Sequence, residues 1–294
     1  MSFAPTPAKT YGGHSMVAPL RRVLMRRPDA AFGSADPARW HYTAQPDLAV
    51  AQAEHDALAA IVRGAGAEVV YHDAPQPERA DSIFVFDPTL ITDAGAVILS
   101  MGKDLRRGEE PALAERLAQL GIPTLAALAG EARAEGGDMF WLDASTLAVG
   151  LGFRTNAEGA RQIADALRPL GVQVLAYDLP YYTGPEACLH LLSLISLVDE
   201  RTAVVYPPLM PVALWQELGR RGFRLIECPD DEFLTMATNV LALAPGECVM
   251  LEGNPVTQAR LAAAGCEVRT YRGRELSLKA EGGATCLTRP LLRG

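Results

Sequence analysis

The chain has 294 residues, and 27 Lys and Arg against 35 Asp and Glu leave a formal charge of −8. Hydrophobic residues at 49% and charged ones at 21% are the balance of a folded globular protein and exclude a disordered chain. The acidic excess argues against a nucleic-acid partner, whose phosphate backbone needs clustered Lys and Arg. No apolar run reaches the roughly 18–20 residues of a membrane span, so no membrane partner is expected. The longest run, Leu189–Val198, is broken by His190, Ser193 and Ser196. The first residues lack the basic-then-apolar layout of a signal peptide. Five cysteines without CxxC spacing indicate neither a disulfide framework nor a zinc site, and a reducing cytoplasm is the simplest setting.

In chain order, a strand-like run, an amphipathic helix and a second strand recur five times. Arg22–Arg26 leads to a helix over 46–65 and a strand at Glu68–His72. Ala96–Leu99 leads to a helix over 109–121 and Pro123–Ala126, and Leu147–Leu151 to a helix over 156–171 and Val172–Ala176. Ala203–Tyr206 precedes a helix over 211–222 and Arg224–Glu227; Cys248–Leu251 precedes one over 254–265 and Glu267–Tyr271. Each helix has apolar residues at i, i+3 or i+4 and ends near Gly, while Asn156, Pro211 and Asn254-Pro255 supply start signals. Five such units suggest a closed, radially repeated α/β architecture, and a doubly wound parallel sheet gives the same alternation. The chain reads as one domain over 1–294, with 1–15 poorly tied down.

Short motifs carry the chemistry. Gly150-Leu-Gly152-Phe-Arg-Thr155 has the layout of a dinucleotide turn, but bulky Phe153 and Arg154 sit where backbone should approach pyrophosphate. Three acidic clusters stand at predicted strand ends or in turns: Asp81…Asp87, Glu135-Gly-Gly-Asp138 and Asp230-Asp-Glu232. If Ile83–Phe86 is extended, Asp81 and Asp87 share a face. The two glycines would leave Glu135 and Asp138 near a rim, and Asp230–Glu232 reads as a solvated turn. Paired carboxylates suit a planar guanidinium, and a carboxylate-only Mg or Ca site is the alternative. Cys188, Cys228, Cys248 and Cys266 read as core thiols, whereas Cys286 lies in a Gly/Thr-rich turn that can expose a thiolate. His14, His41, His55 and His72 read as surface or helix-face residues. His190, inside an apolar run, is either a core histidine or an acid/base beside a thiolate.

Together these stretches resemble the guanidino-group-modifying enzymes: dimethylarginine dimethylaminohydrolases, arginine deiminases and amidinotransferases. The resemblance runs over roughly residues 20–293. It rests on Asp81…Asp87, Glu135-Gly-Gly-Asp138, Gly150…Arg154-Thr-Asn156…Gly159, His190 and Gly-Gly-Ala-Thr-Cys286-Leu-Thr-Arg289-Pro. It implies a five-bladed α/β propeller with Cys286 as nucleophile and His190 as acid/base. It also implies Asp87 and Glu135 as carboxylates gripping the guanidinium, with Asp81, Arg106 and Arg154 recognising the amino-acid end of the substrate. Two positions depart from the pattern: Phe86 stands where the dimethylarginine branch has Glu, and Leu191-Leu192 replaces the deiminase His-x-Asp. The first places Phe86 at substrate recognition, and the second favours N-substituted guanidines, with Leu192 beside the substituted nitrogen. The implied reaction takes N-omega-methylated arginine to citrulline and (di)methylamine through an S-alkylthiouronium, with no metal or organic cofactor. The partner is then a small cationic guanidino compound, and a homodimer is allowed. Amidinotransferase or arginine deiminase activity and an inert binding propeller are the alternatives.

Overall fold

Short runs of Val, Leu, Ile and Ala that are buried on both faces need a strand or helix on every side, and the chain supplies this five times over. A computed structural model describes residues 9–294. Its first blade contains β1 (Leu20–Met25), α1 (Leu48–Gly64) and β2 (Glu68–Tyr71). The second has β3 (Thr89–Thr92), β4 (Gly95–Ile98), α2 (Glu110–Gln119) and β5 (Thr124–Ala127). The third has β6 (Met139–Asp143), β7 (Thr146–Leu151), α3 (Ala157–Leu167) and β8 (Gln173–Asp178). The fourth has β9 (Ile195–Asp199), β10 (Thr202–Val205), α4 (Val212–Arg220) and β11 (Arg224–Glu227). The fifth has β12 (Leu241–Ala244), β13 (Glu247–Leu251), α5 (Pro255–Ala263) and β14 (Glu267–Tyr271), and β15 (Thr288–Arg293) ends the chain.

Each blade is a separate three-stranded sheet. A hairpin partner runs antiparallel to the middle strand, and the strand after the helix runs parallel to it. The first blade takes its hairpin strand from the other end of the chain: β15 pairs antiparallel with β1, opposite β2. That clasp settles the architecture as a five-bladed α/β propeller rather than one doubly wound sheet. The helices and the strands on either side of them fall where the periodicity places them, and Asn156 caps α3 through Gly159 N at 2.8 Å.

Some expectations change. Ile83–Phe86 is not extended: Ala80–Ile83 form a turn of 3-10 helix, and a further turn carries the chain to β3. The first eight residues of the segment expected to be loose lie outside the described residues. Residues 9–15 are anchored: Gly12 N donates to Leu291 O at 2.7 Å, and the His14 ring stacks on Trp141. His55 and His72 are buried, and burial lowers both imidazoles to about 4. Glu232 is not a solvated turn residue; it accepts from the N–H groups of Val256 and Thr257, which open α5.

The clasp buries Leu24 of β1 against Ile91, Ile98, Leu113, Leu117 and Leu291. Leu24→Ala should therefore cost about 2–5 kcal/mol of stability, the range for a large-to-small change in a packed core. A lowered urea midpoint with an unchanged slope checks this.

Candidate active site

The segments that feed the hairpin strands carry polar side chains to one place. Asp81 and Asp87 precede β3, Glu135 and Asp138 precede β6, His190 precedes β9, Asn239 precedes β12 and Cys286 precedes β15. Asp81, Asp87, Arg106, Arg154, His190 and Cys286 line one narrow hollow of about 40 Å³. Cys286 and His190 also line a broader cavity of about 370 Å³, walled by Tyr182, Phe233, Met236 and Leu278. Among the described residues, no group of three or more His, Cys, Asp or Glu could hold a metal.

Glu135 and Asp138 are fully buried, not at a rim. Gly137 explains how: a Cβ there would lie 2.4 Å from His190 Nδ1, so only glycine lets the turn pass beneath the imidazole. Glu135 Oε1 accepts from Lys103 N at 2.9 Å, while Oε2 meets His190 Nε2 at 2.7 Å and Arg154 Nη1 at 3.3 Å. Burial alone would raise this carboxyl; His190 and Arg154 outweigh it and hold Glu135 well below the usual carboxylate range. Asp138 is tied to Thr155 Oγ1 at 2.6 Å and Leu191 N at 3.0 Å, and burial pushes it up to about 6. The Gly150…Thr155 turn thus braces the acidic turn.

Asp87 Oδ1 accepts from Gly137 N at 2.9 Å, and Oδ2 from Arg106 Nη1 at 2.6 Å. Arg106 is buried and also bonds both Glu109 oxygens and Phe84 O. Burial opposes its charge, and Glu109 and Asp87 more than restore it. Asp81 accepts from Tyr42 Oη at 2.7 Å and from Lys103 Nζ at 2.6 Å.

His190 has Nε2 on Glu135 and presents Nδ1 to Cys188 Sγ at 3.7 Å. Burial would depress its pKa, but Cys188, Asp138 and the Glu135 hydrogen bond raise it well above the usual imidazole value. The Cys286 thiol accepts from Asn239 Nδ2 at 3.3 Å. Burial and the charges of Asp87 and Cys188 push it up to about 11, against the opposing effect of His190 and Asn239.

Two expected neighbours lie elsewhere. Phe86 faces a different cavity, with Arg289 3.6 Å above its ring. Leu192 packs into the apolar core with Phe140 and Leu197 instead of beside the hollow. Four residues were missed. Cys188 is half-buried at the site rather than in the core, and Lys103, Glu109 and Asn239 complete the polar network. Glu109 stands three residues from Arg106, a helical ion-pair spacing that could have flagged it. Asn239 has no local signal, although Gly283 makes room for it: a Cβ there would sit 2.5 Å from the amide.

A thiol at about 11 is a poor nucleophile at neutral pH. Alkylation of Cys286 by iodoacetamide, followed by peptide mass spectrometry, should be slow at pH 7 and accelerate as pH rises toward 11. A flat profile between pH 7 and 10 would contradict the assignment.

The chain matches a family profile described as N,N dimethylarginine dimethylhydrolase, eukaryotic, over residues 37–293. A dimethylarginine dimethylaminohydrolase of Streptomyces coelicolor is 28% identical over 272 residues, covering 92% of this chain and 96% of the relative. The solved structure of the Pseudomonas aeruginosa dimethylarginine dimethylaminohydrolase, a mutant with citrulline bound, superposes with TM-score 0.77 at 24% identity over 94% of this chain and all of that one. An amidinotransferase of saxitoxin biosynthesis from Microseira wollei shares the fold, with TM-score 0.78 at 15% identity over 97% of both chains. The chain therefore belongs to the dimethylarginine dimethylhydrolase family within the guanidino-modifying superfamily, hydrolases acting on the C–N bonds of amidines.

Proposed function

We propose that this chain hydrolyses N-substituted guanidines through a covalent adduct on Cys286, with N-omega-methylated arginine, giving citrulline and methylamine or dimethylamine, as the reference substrate. The reading rests chiefly on the shared hollow in which Cys286, His190 and Asp87 meet, with Glu135 bonded behind His190.

A guanidinium carbon is a weak electrophile because its positive charge is delocalised. Asp87 holds the flat cation and compensates its charge as the carbon becomes tetrahedral. Glu135 is fully buried behind His190 and, unlike Asp87, does not line the hollow, so it acts on His190 and orients its ring. The incoming cation favours ionisation of Cys286, whose proton leaves to solvent. The thiolate adds to the guanidinium carbon, and protonated His190 gives its proton to the departing amine as the C–N bond breaks. A planar S-alkylthiouronium remains. Neutral His190 takes a proton from water; the hydroxide adds, the C–S bond breaks, and a ureido product leaves with the thiol restored.

Cys286→Ser should lower ureido-product formation on the order of a thousandfold or more while the circular dichroism spectrum stays unchanged. His190→Gly should form the adduct and retain it, visible as a mass increment on Cys286 in quenched samples. Adduct on another cysteine would remove Cys286 from the role, and decay at the wild-type rate would remove His190. Products of arginine incubated with amines separate hydrolysis from transfer, since transfer yields ornithine and hydrolysis citrulline.

A further inference from the structure

An ammonium group already sits at the end of the hollow, and it belongs to the chain. Lys103 Nζ lies 2.6 Å from Asp81 Oδ2 and 2.9 Å from Trp40 O, and 5.2 Å from the centre of the Trp40 ring. A carboxylate, a carbonyl and an aromatic face are the partners that select an ammonium. The other Asp81 oxygen is taken by Tyr42 Oη at 2.7 Å. Burial and Asp81 both hold that phenol neutral, so it stays a donor. Lys103 is no loose surface residue: its side chain is 14% exposed and its backbone N–H is fixed on Glu135.

Arg154 presents the opposite situation. Its one hydrogen bond among the described residues is the 3.3 Å contact from Nη1 to Glu135, so the rest of its guanidinium fork lines the hollow without a protein partner. A fork of this kind takes a carboxylate. Resting on the guanidine-hydrolase reading, we propose that Lys103 fills the ammonium subsite with its own side chain, so that the preferred substrate is an ω-guanidino carboxylate with no amino group beside the carboxylate. A free amino acid would bring a second ammonium against Lys103 in a space of about 40 Å³. Glu186 and Glu281 also line the hollow: Glu186 is 82% exposed and gives an ammonium little, and Glu281, whose carboxyl burial pushes up, already has the charges of Lys103 and Arg154 nearby.

The test compares kcat/KM, read as ureido product, for Nω-methylarginine and for its desamino counterpart, 5-(N′-methylguanidino)pentanoate. The wild-type protein should favour the desamino compound by roughly tenfold or more, the scale of one charge-assisted hydrogen bond. Lys103→Ala frees Asp81 and should shift that ratio toward the amino acid by at least about tenfold. Lys103→Met, which keeps the bulk and removes the charge, serves if the alanine variant fails to fold, and should shift the ratio the same way. Product formed at least as fast from Nω-methylarginine by the wild-type protein, or a ratio unmoved in the folded variants, overturns the inference and leaves the hydrolase reading standing. No ureido product and no Cys286 adduct from either compound would defeat both.

Discussion

Glu135 keeps a full negative charge where water does not reach, and the hollow exists because three donors converge on that charge. Stripping a carboxylate of water costs several kcal/mol, which only close, well-directed partners offset. The partners here come from separate parts of the ring: Lys103 N follows β4, Arg154 follows β7 and His190 precedes β9. A second buried cluster, Asp87 with Arg106 and Glu109, lies beside it, and there burial outweighs Arg106 and pushes Glu109 up to about 7. The blades therefore pack in a register that the charges enforce, and the charges are tolerable only in that register.

The strand–helix–strand part of each blade was legible because its signals are local: apolar spacing, a start residue, a glycine at the end. The hairpin strands were not. β3 (Thr-Leu-Ile-Thr) and the first four residues of β9 are buried on both faces, so they lack the alternation that marks a half-exposed strand. β15 lies at the far end of the chain from the strand it completes, a pairing no window of sequence contains.

The site shows the same division. Cys286, His190, Glu135 and Asp87 could be named because their motifs are contiguous, and the structure brings them together. Phe86 was placed at substrate recognition by resemblance alone, and its ring instead meets Arg289 at a different cavity. Glu135 was expected to grip substrate, yet it lies behind His190 and outside the lining of the hollow that Asp87 enters. Lys103 gave no signal at all, since a lysine after Gly102 reads as surface until Asp81 and Trp40 O are seen around its ammonium.

The electrostatics also explain why such a site is quiet at rest. Burial and Asp87 hold the Cys286 thiol up at about 11, so the free protein presents little thiolate to passing electrophiles. The same Asp87 that suppresses ionisation is the group that receives a guanidinium in the proposed chemistry. Arg106 already offsets part of its charge; in that chemistry a bound cation offsets more of it, and the reacting carbon arrives in the same event. In that proposed chemistry one carboxylate couples binding to activation, since a ligand without a flat positive charge would neither dock on Asp87 nor reduce its effect on the sulfur. On this reading a high resting pKa is the source of selectivity rather than a defect of the nucleophile.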